Sequence, residues 1–338
     1  PYNMYHFLYP SKDSTIYEYG KDKNVGSDEI LELDRDDGEE ARALIKFRLD
    51  DIQDFIVGSV ADTEAVLRLW TTEATNLPFE YDLACYPLTA SWTRGVGREP
   101  NNLETEGVTW NKRGPSQWMF PGADFDVTVE GRQSFSHEPA DAEIDVTELF
   151  SYWVVDGNDN NGLIVIREND TTRSSELKFF GTLTHTIYPP ELVVRYDDSV
   201  FAPTAEQEEL GPLDPELQEV QVQLRSRKPK YAPDGIKRFR VVARDKYQKQ
   251  QFAEEIEAPT QRYLDGDIKY EIRDTLNEKV LVPFSEESKL SFGESGYYFD
   301  IDLRNVQPHR HYDLTFRYES PTGYTERFDG DEFVIKER

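Results

Sequence analysis

The chain has 338 residues, of which 66 are Asp or Glu and 38 are Lys or Arg, for a formal net charge of −28. A surface of that sign repels nucleic acid and anionic lipid, so neither is an expected partner. The length suits two domains, no apolar run reaches membrane-spanning length, and a single cysteine, Cys85, excludes an internal disulfide framework. Only 37% of residues are hydrophobic, yet 13% are aromatic, and aromatic side chains bury enough area each to supply a core.

The opening Pro1-Tyr2-Asn3-Met4-Tyr5-His6 lacks the charged and apolar regions of a secretory signal, so synthesis in a cytoplasm is expected. Beyond it, period-two alternation dominates and helical periodicity is scarce. Residues 43–49 and 65–70 read as strands, the second with Leu67 and Leu69 on one face and Arg68 on the other. Cys85 lies in an alternating apolar run and is expected to be a buried, inert thiol, because apolar surroundings raise its pKa. Trp92 and Trp110 are expected to plug the core. Trp118, in the loop-like stretch 114–122, reads either as an exposed anchor for a glycan or protein neighbour or as a further core residue.

Residues 145–153 predict one short helix, with Asp145 able to cap its first turn and Leu149, Phe150 and Trp153 at helical spacing. Asp156, Asn158 and Asn160 then place oxygen donors at alternate positions, as at the start of a calcium loop. The sixth position lacks Gly, however, and Arg167 stands where a bidentate Glu belongs. A tight Asn-Gly turn is the stronger expectation and a calcium ion the weaker. Strands follow at 162–166 and 192–196, separated by turn residues including Pro189 and Pro190.

Residues 1–197 thus form a first domain. Residues 198–217 hold Pro203, Pro212, Pro215 and the acidic run 206–209, and are read as a proline-stiffened acidic linker to a second domain, 218–338. There the alternation resumes at 220–224 and 239–243, and the charge reverses locally between Arg225 and Lys249. Two accounts stand: solvent-facing strand positions with Lys protecting an edge, or a contact face for an acidic neighbour in which Arg238 and Arg240 take part. His309 and His311 read as a solvent-pointing pair rather than metal ligands. The turn at Pro308 leads into Tyr312, which shares a face with Leu314 and Phe316, the sequence form of a tyrosine corner.

The expected fold is all-β: a jelly-roll sandwich followed by a smaller Ig/fibronectin III-like sandwich. No nucleophile elbow, zinc-protease helix or phosphate-cradling loop occurs, so an enzyme is not expected, nor is a cofactor.

Motif order adds a resemblance. Lys12-Asp13-Ser14-Thr15-Ile16-Tyr17, Asn24-Val25-Gly26, Arg42-Ala43-Leu44-Ile45-Lys46-Phe47 and Ala65-Val66-Leu67-Arg68-Leu69 come in that sequence. Ser91-Trp92, Gly107-Val108-Thr109-Trp110-Asn111, Asp145-Val146-Thr147-Glu148-Leu149, Asn160-Asn161-Gly162-Leu163 and Pro189-Pro190-Glu191-Leu192 complete it. This series resembles the DNRLRE family, a carbohydrate-binding-module-like jelly roll, and the stretch around Tyr312 resembles fibronectin type III domains. A pairing of two such domains without a signal looks like virion structural proteins of tailed bacteriophages. The resemblance implies a non-catalytic tail, baseplate or neck protein, present in multiple copies against other virion proteins in a symmetric assembly. The alternative it implies is a carbohydrate-binding module or adhesin for a cell-surface polysaccharide.

Overall fold

Alternating side chains put one face of a strand in the core and leave the other for a second layer or for water, and the folded chain uses both options. The computed structural model describes residues 4–36, 39–50, 52, 63–75, 77, 80–98, 106–136, 141–168, 175–197, 199–225, 228–247, 260–304 and 306–336. It divides into two compact units, Phe7–Val194 and the remainder, Pro1–His6 with Arg195–Arg338.

The first unit is an antiparallel sandwich. Its strands are β1 (Met4–Leu8), β2 (Pro10–Tyr17), β3 (Ile30–Asp36), β4 (Glu39–Phe47), β5 (Thr63–Leu69) and β6 (Thr71–Thr75). They continue as β7 (Glu80–Pro87), β8 (Gly131–Ser136), β9 (Ala142–Asp145), β10 (Leu163–Glu168), β11 (Ser175–Phe180) and β12 (Glu191–Tyr196). One sheet has the order β6-β11-β3-β4-β10-β7-β8, with β2 also paired to β4, and the other the order β1-β12-β5-β9.

The central strands of the larger sheet are buried on both faces. Ile45, Leu83, Cys85, Leu163 and Val165 enter the core shared with Leu67, Leu69, Ile144 and Leu192 of the second sheet. Their neighbours Leu44, Ala84, Tyr86, Ile164 and Ile166 point the other way, under Trp92, Trp110 and Trp118 from the loop that follows β7. This is why β10 reads as a continuous apolar run rather than a clean alternation. Cys85 is fully buried and burial drives its thiol pKa far up, so the thiol stays protonated.

Helix α1 (Thr147–Val154) buries Leu149, Phe150 and Trp153, the residues the spacing singles out. Its N-cap is Val146, without a side-chain cap. Asp145 closes β9 instead, and accepts the Thr147 N–H at 2.9 Å, one residue earlier than the sequence pattern suggests.

The second unit is a smaller sandwich with strands β13 (Val220–Leu224), β14 (Lys230–Tyr231), β15 (Ile236–Asp245), β16 (Asp267–Asp274) and β17 (Val280–Val282). After these come β18 (Ser291–Gly293), β19 (Gly296–Asp302), β20 (His311–Glu319), β21 (Thr325–Phe328) and β22 (Glu332–Ile335). Its sheets have the orders β13-β15-β19-β18 and β14-β22-β20-β16-β17, with β21 also paired to β20. Aromatic rings fill it: Phe299 stacks on Tyr270 at 4.1 Å and on Phe239 at 5.1 Å between centroids. The Tyr312 hydroxyl donates to the Gln307 carbonyl at 3.1 Å, tying β20 to the turn before it.

The segment 198–217 is read from composition as a linker, and its described residues, 199–217, are bonded into this second unit. They carry a helix, α2 (Ala205–Leu210), with a reciprocal capping box between Thr204 and Gln207. The Gln207 amide is buried and donates to the Gly293 and Glu294 carbonyls at 3.4 and 3.1 Å. Phe201 bridges to Phe292, Leu213 to Leu264, and the Arg262 guanidinium donates to the carbonyls of Leu210, Gly211 and Pro212. Prolines stop regular structure here without freeing the chain.

Candidate functional site

Three places in the fold gather the residues that the sequence marks. The first is the loop between β7 and β8, which lies over the outer face of the larger sheet. One amide makes three of the bonds that hold it. Asn24 donates to the carbonyls of Arg94 and Val108 at 2.7 and 2.8 Å and accepts the N–H of Gly97 at 2.9 Å and of Gly26 at 3.3 Å. The loop approaches so closely that a Cβ on Gly97 would stand 2.1 Å from the Asn24 carbonyl oxygen, and one on Gly107 would stand 2.3 Å from its side-chain nitrogen. Only glycine fits at either position.

The tryptophans of this loop are core residues. Trp92 and Trp118 donate their indole N–H groups to the carbonyls of Asn161 and Thr109, each at 3.0 Å. The Arg42 guanidinium covers Trp110, 4.7 Å from its ring centroid. Trp118 is only 5% exposed, so of the two readings of this residue the structure places it in the core. The exposed apolar side chains are its successors, Met119 at 79% and Phe120 at 67%. Asp124 presents them by accepting both their backbone N–H groups at 2.9 Å. A groove of about 810 Å³ runs beside them, lined by Arg42, Arg113, Met119, Phe120, Phe125 and Val127 among others.

The second place is the turn with the weak calcium pattern. Its donors are committed to the backbone: the Asn158 amide to Tyr152 O at 3.1 Å, and the Asn160 amide to Phe47 O at 3.0 Å. The Asn160 side-chain oxygen accepts the Gly162 N–H at 3.0 Å, and Asp156 is exposed. The Asn158 and Asn160 amides and the Asn160 oxygen thus serve an Asn-Gly turn. Among the described residues no group of three His, Cys, Asp or Glu side chains is placed to hold a metal.

The third place is the outward face of β15, where Arg238, Arg240 and Arg244 alternate with buried Phe239, Val241 and Ala243. Arg238 forms a two-bond fork with Asp300 at 3.0 and 2.8 Å and lies 4.2 Å from the Tyr298 ring centroid. Arg244 bonds Gln221. Arg240 stands opposite Tyr298 and has no carboxylate partner among the described residues. His309 and His311 are both exposed, and His311 meets Glu332 at 2.7 Å.

The sequence reading missed the groove, because it forms only where residues 113–127 fold against Arg42, Thr89 and Ala90. The sole local signal for it is the apolar Met119-Phe120-Pro121 following a tryptophan.

No family model matches the sequence, and no curated protein matches it either. Among the described residues no helix is long and apolar enough to cross a membrane.

Proposed function

We propose that this chain is a structural protein of a bacteriophage particle, a tail, baseplate or neck component that works through protein–protein contacts and not through catalysis. The observation that carries the reading is the basic face of β15. Arg238, Arg240 and Arg244 stand exposed on one strand of a chain whose net charge is −28. Arg238 is matched by Asp300, but Arg240 and Arg244 have no carboxylate partner among the described residues. Their guanidinium groups suit an acidic neighbouring subunit, since complementary charge sets encounter rate and register. The DNRLRE-like order of motifs and a second sandwich read as Ig/fibronectin III-like support a particle protein by analogy of fold. Repeated copies in a symmetric assembly go with that reading.

Mass spectrometry of purified particles tests it: the chain should be present at fixed copy number, and its absence from them removes the proposal. An Arg240→Glu variant should keep the fold and lose incorporation.

A glycan-binding module or adhesin is the second reading, and the groove beside Phe120 is the observation in its favour. Against it, the indole N–H groups of Trp92 and Trp118 are already bonded and both rings are buried, so neither offers a stacking platform. It predicts glycan retention lost in Phe120→Ala, and a glycan array without signal would count against it.

A further inference from the structure

Two lysines face one another where the charge balance of the chain makes that least expected. Lys12 of β2 and Lys46 of β4 are direct partners across an antiparallel ladder. Like charges directly opposite are destabilising by themselves. Acidic residues outnumber basic ones 66 to 38, so a carboxylate counterion would be the ordinary arrangement. Among the described residues neither ammonium has one.

The surroundings are built from ordered parts. The Lys12 ammonium donates to the Trp92 carbonyl and lies 4.2 Å from the centroid of the same indole. Burial, and after it the Lys46 charge, push the Lys12 pKa down to about 8. The 160–162 turn packs on the other lysine: a Cβ on Gly162 would stand 3.0 Å from the Lys46 Cβ. The same turn accepts the Trp92 indole N–H through Asn161. Lys46, and through Trp92 also Lys12, therefore stand beside this turn.

We propose that Lys12 and Lys46, paired across β2 and β4 beside Trp92 and the 160–162 turn, form a binding site for an oxyanion. Ammonium groups are point charges and not planar forks, so the pair selects charge and size over shape. Carboxylate, sulfate and phosphate groups share that chemistry. Each ammonium carries more N–H donors than the bonds it makes here, which leaves donors for the ligand. The bound anion supplies a counterion that neither lysine has among the described residues. The site is separate from β15 and stands or falls independently of the assembly reading.

The test is a pH titration of the lysine side chains by NMR on isotope-labelled full-length protein. It is run in chloride, and again with acetate or inorganic phosphate at matched ionic strength. An anion that binds the protonated pair must raise the Lys12 midpoint, by about one unit for a tenfold preference over the neutral form. In Lys46→Gln the Lys12 midpoint should rise in chloride alone, because the like charge is gone, and the anion response should fall at least tenfold in affinity. A response to acetate assigns carboxylate ligands and a response to phosphate alone assigns phosphorylated or sulfated ones; either supports the site. No shift from the chloride midpoint with either anion, or an undiminished response in Lys46→Gln, overturns it.

Discussion

Asn24 shows how much one buried amide can organise. Its side chain satisfies two carbonyls and two N–H groups drawn from residues 26 to 108. Asn24→Ala leaves those groups buried without partners, at about 1–3 kcal/mol for each group that water cannot reach. We expect a loss of roughly 3 kcal/mol in urea denaturation and a red shift of tryptophan emission as the loop lifts; a change under about 0.5 kcal/mol would refute the role. From the sequence, Asn24-Val25-Gly26 reads only as a turn, because its partners at Arg94, Gly97 and Val108 lie outside any local window. Trp118 was half legible for the same reason: hydrophobicity marks the residue, but only the Thr109 carbonyl and the closed loop decide that it turns inward. Lys12 carries a prediction of its own. Its folded pKa, about 8, lies below the ordinary lysine value. The charged form is thus disfavoured in the fold, a penalty fully present below pH 8 that fades as pH rises toward the unfolded value of about 10.4. Lys12→Met should therefore be more stable than wild type at pH 7, with the advantage shrinking by pH 10. Denaturation curves at the two pH values check this, and a constant difference would refute it.

At the scale of the element, strands were the most legible feature because their signal is local and periodic. β5 keeps Leu67 and Leu69 in the core and sends Arg68 to Glu143, as alternation requires. β10 departs from alternation for a physical reason, a second layer of tryptophans over its outer face. The segment before β13 was misread because proline and acidic composition outweighed a small motif. Thr204-x-x-Gln207 is a capping-box pattern in the sequence itself. Its consequence, the bond from Gln207 to Gly293 and Glu294, is long-range and invisible there. Gln207→Ala removes the reciprocal cap and both carbonyl partners together. Limited proteolysis should then cut within 199–213 while the tyrosine corner and the aromatic core of the second sandwich stay protected. The expected cost is about 1–2 kcal/mol. Unchanged cleavage would show that Phe201, Leu213 and Arg262 hold the segment without it.

For the whole molecule, the distribution of charge says more than its sum. A net charge of −28 keeps copies apart at long range, so a productive contact must overcome that repulsion with local complementarity. Two surfaces compete for the role, and salt separates them. Contact through Arg238, Arg240 and Arg244 against an acidic neighbour gains its encounter rate from unscreened attraction. That attraction reaches about 30 Å at 0.01 M salt and about 8 Å at physiological ionic strength. Salt screens the net repulsion as well, so the diagnostic is the ratio of wild-type to Arg240→Glu rates. That ratio should be severalfold at low salt and fall toward one over that range. Contact through the apolar Met119 and Phe120 would behave in the opposite sense, with binding unchanged or tightened by salts that strengthen apolar burial, and lost in Phe120→Ser. Association kinetics with depleted particles, read against ionic strength for wild type and the two variants, therefore assign the contact. A rate indifferent to salt and to Arg240→Glu would remove the basic face from the mechanism and leave the groove as the docking surface.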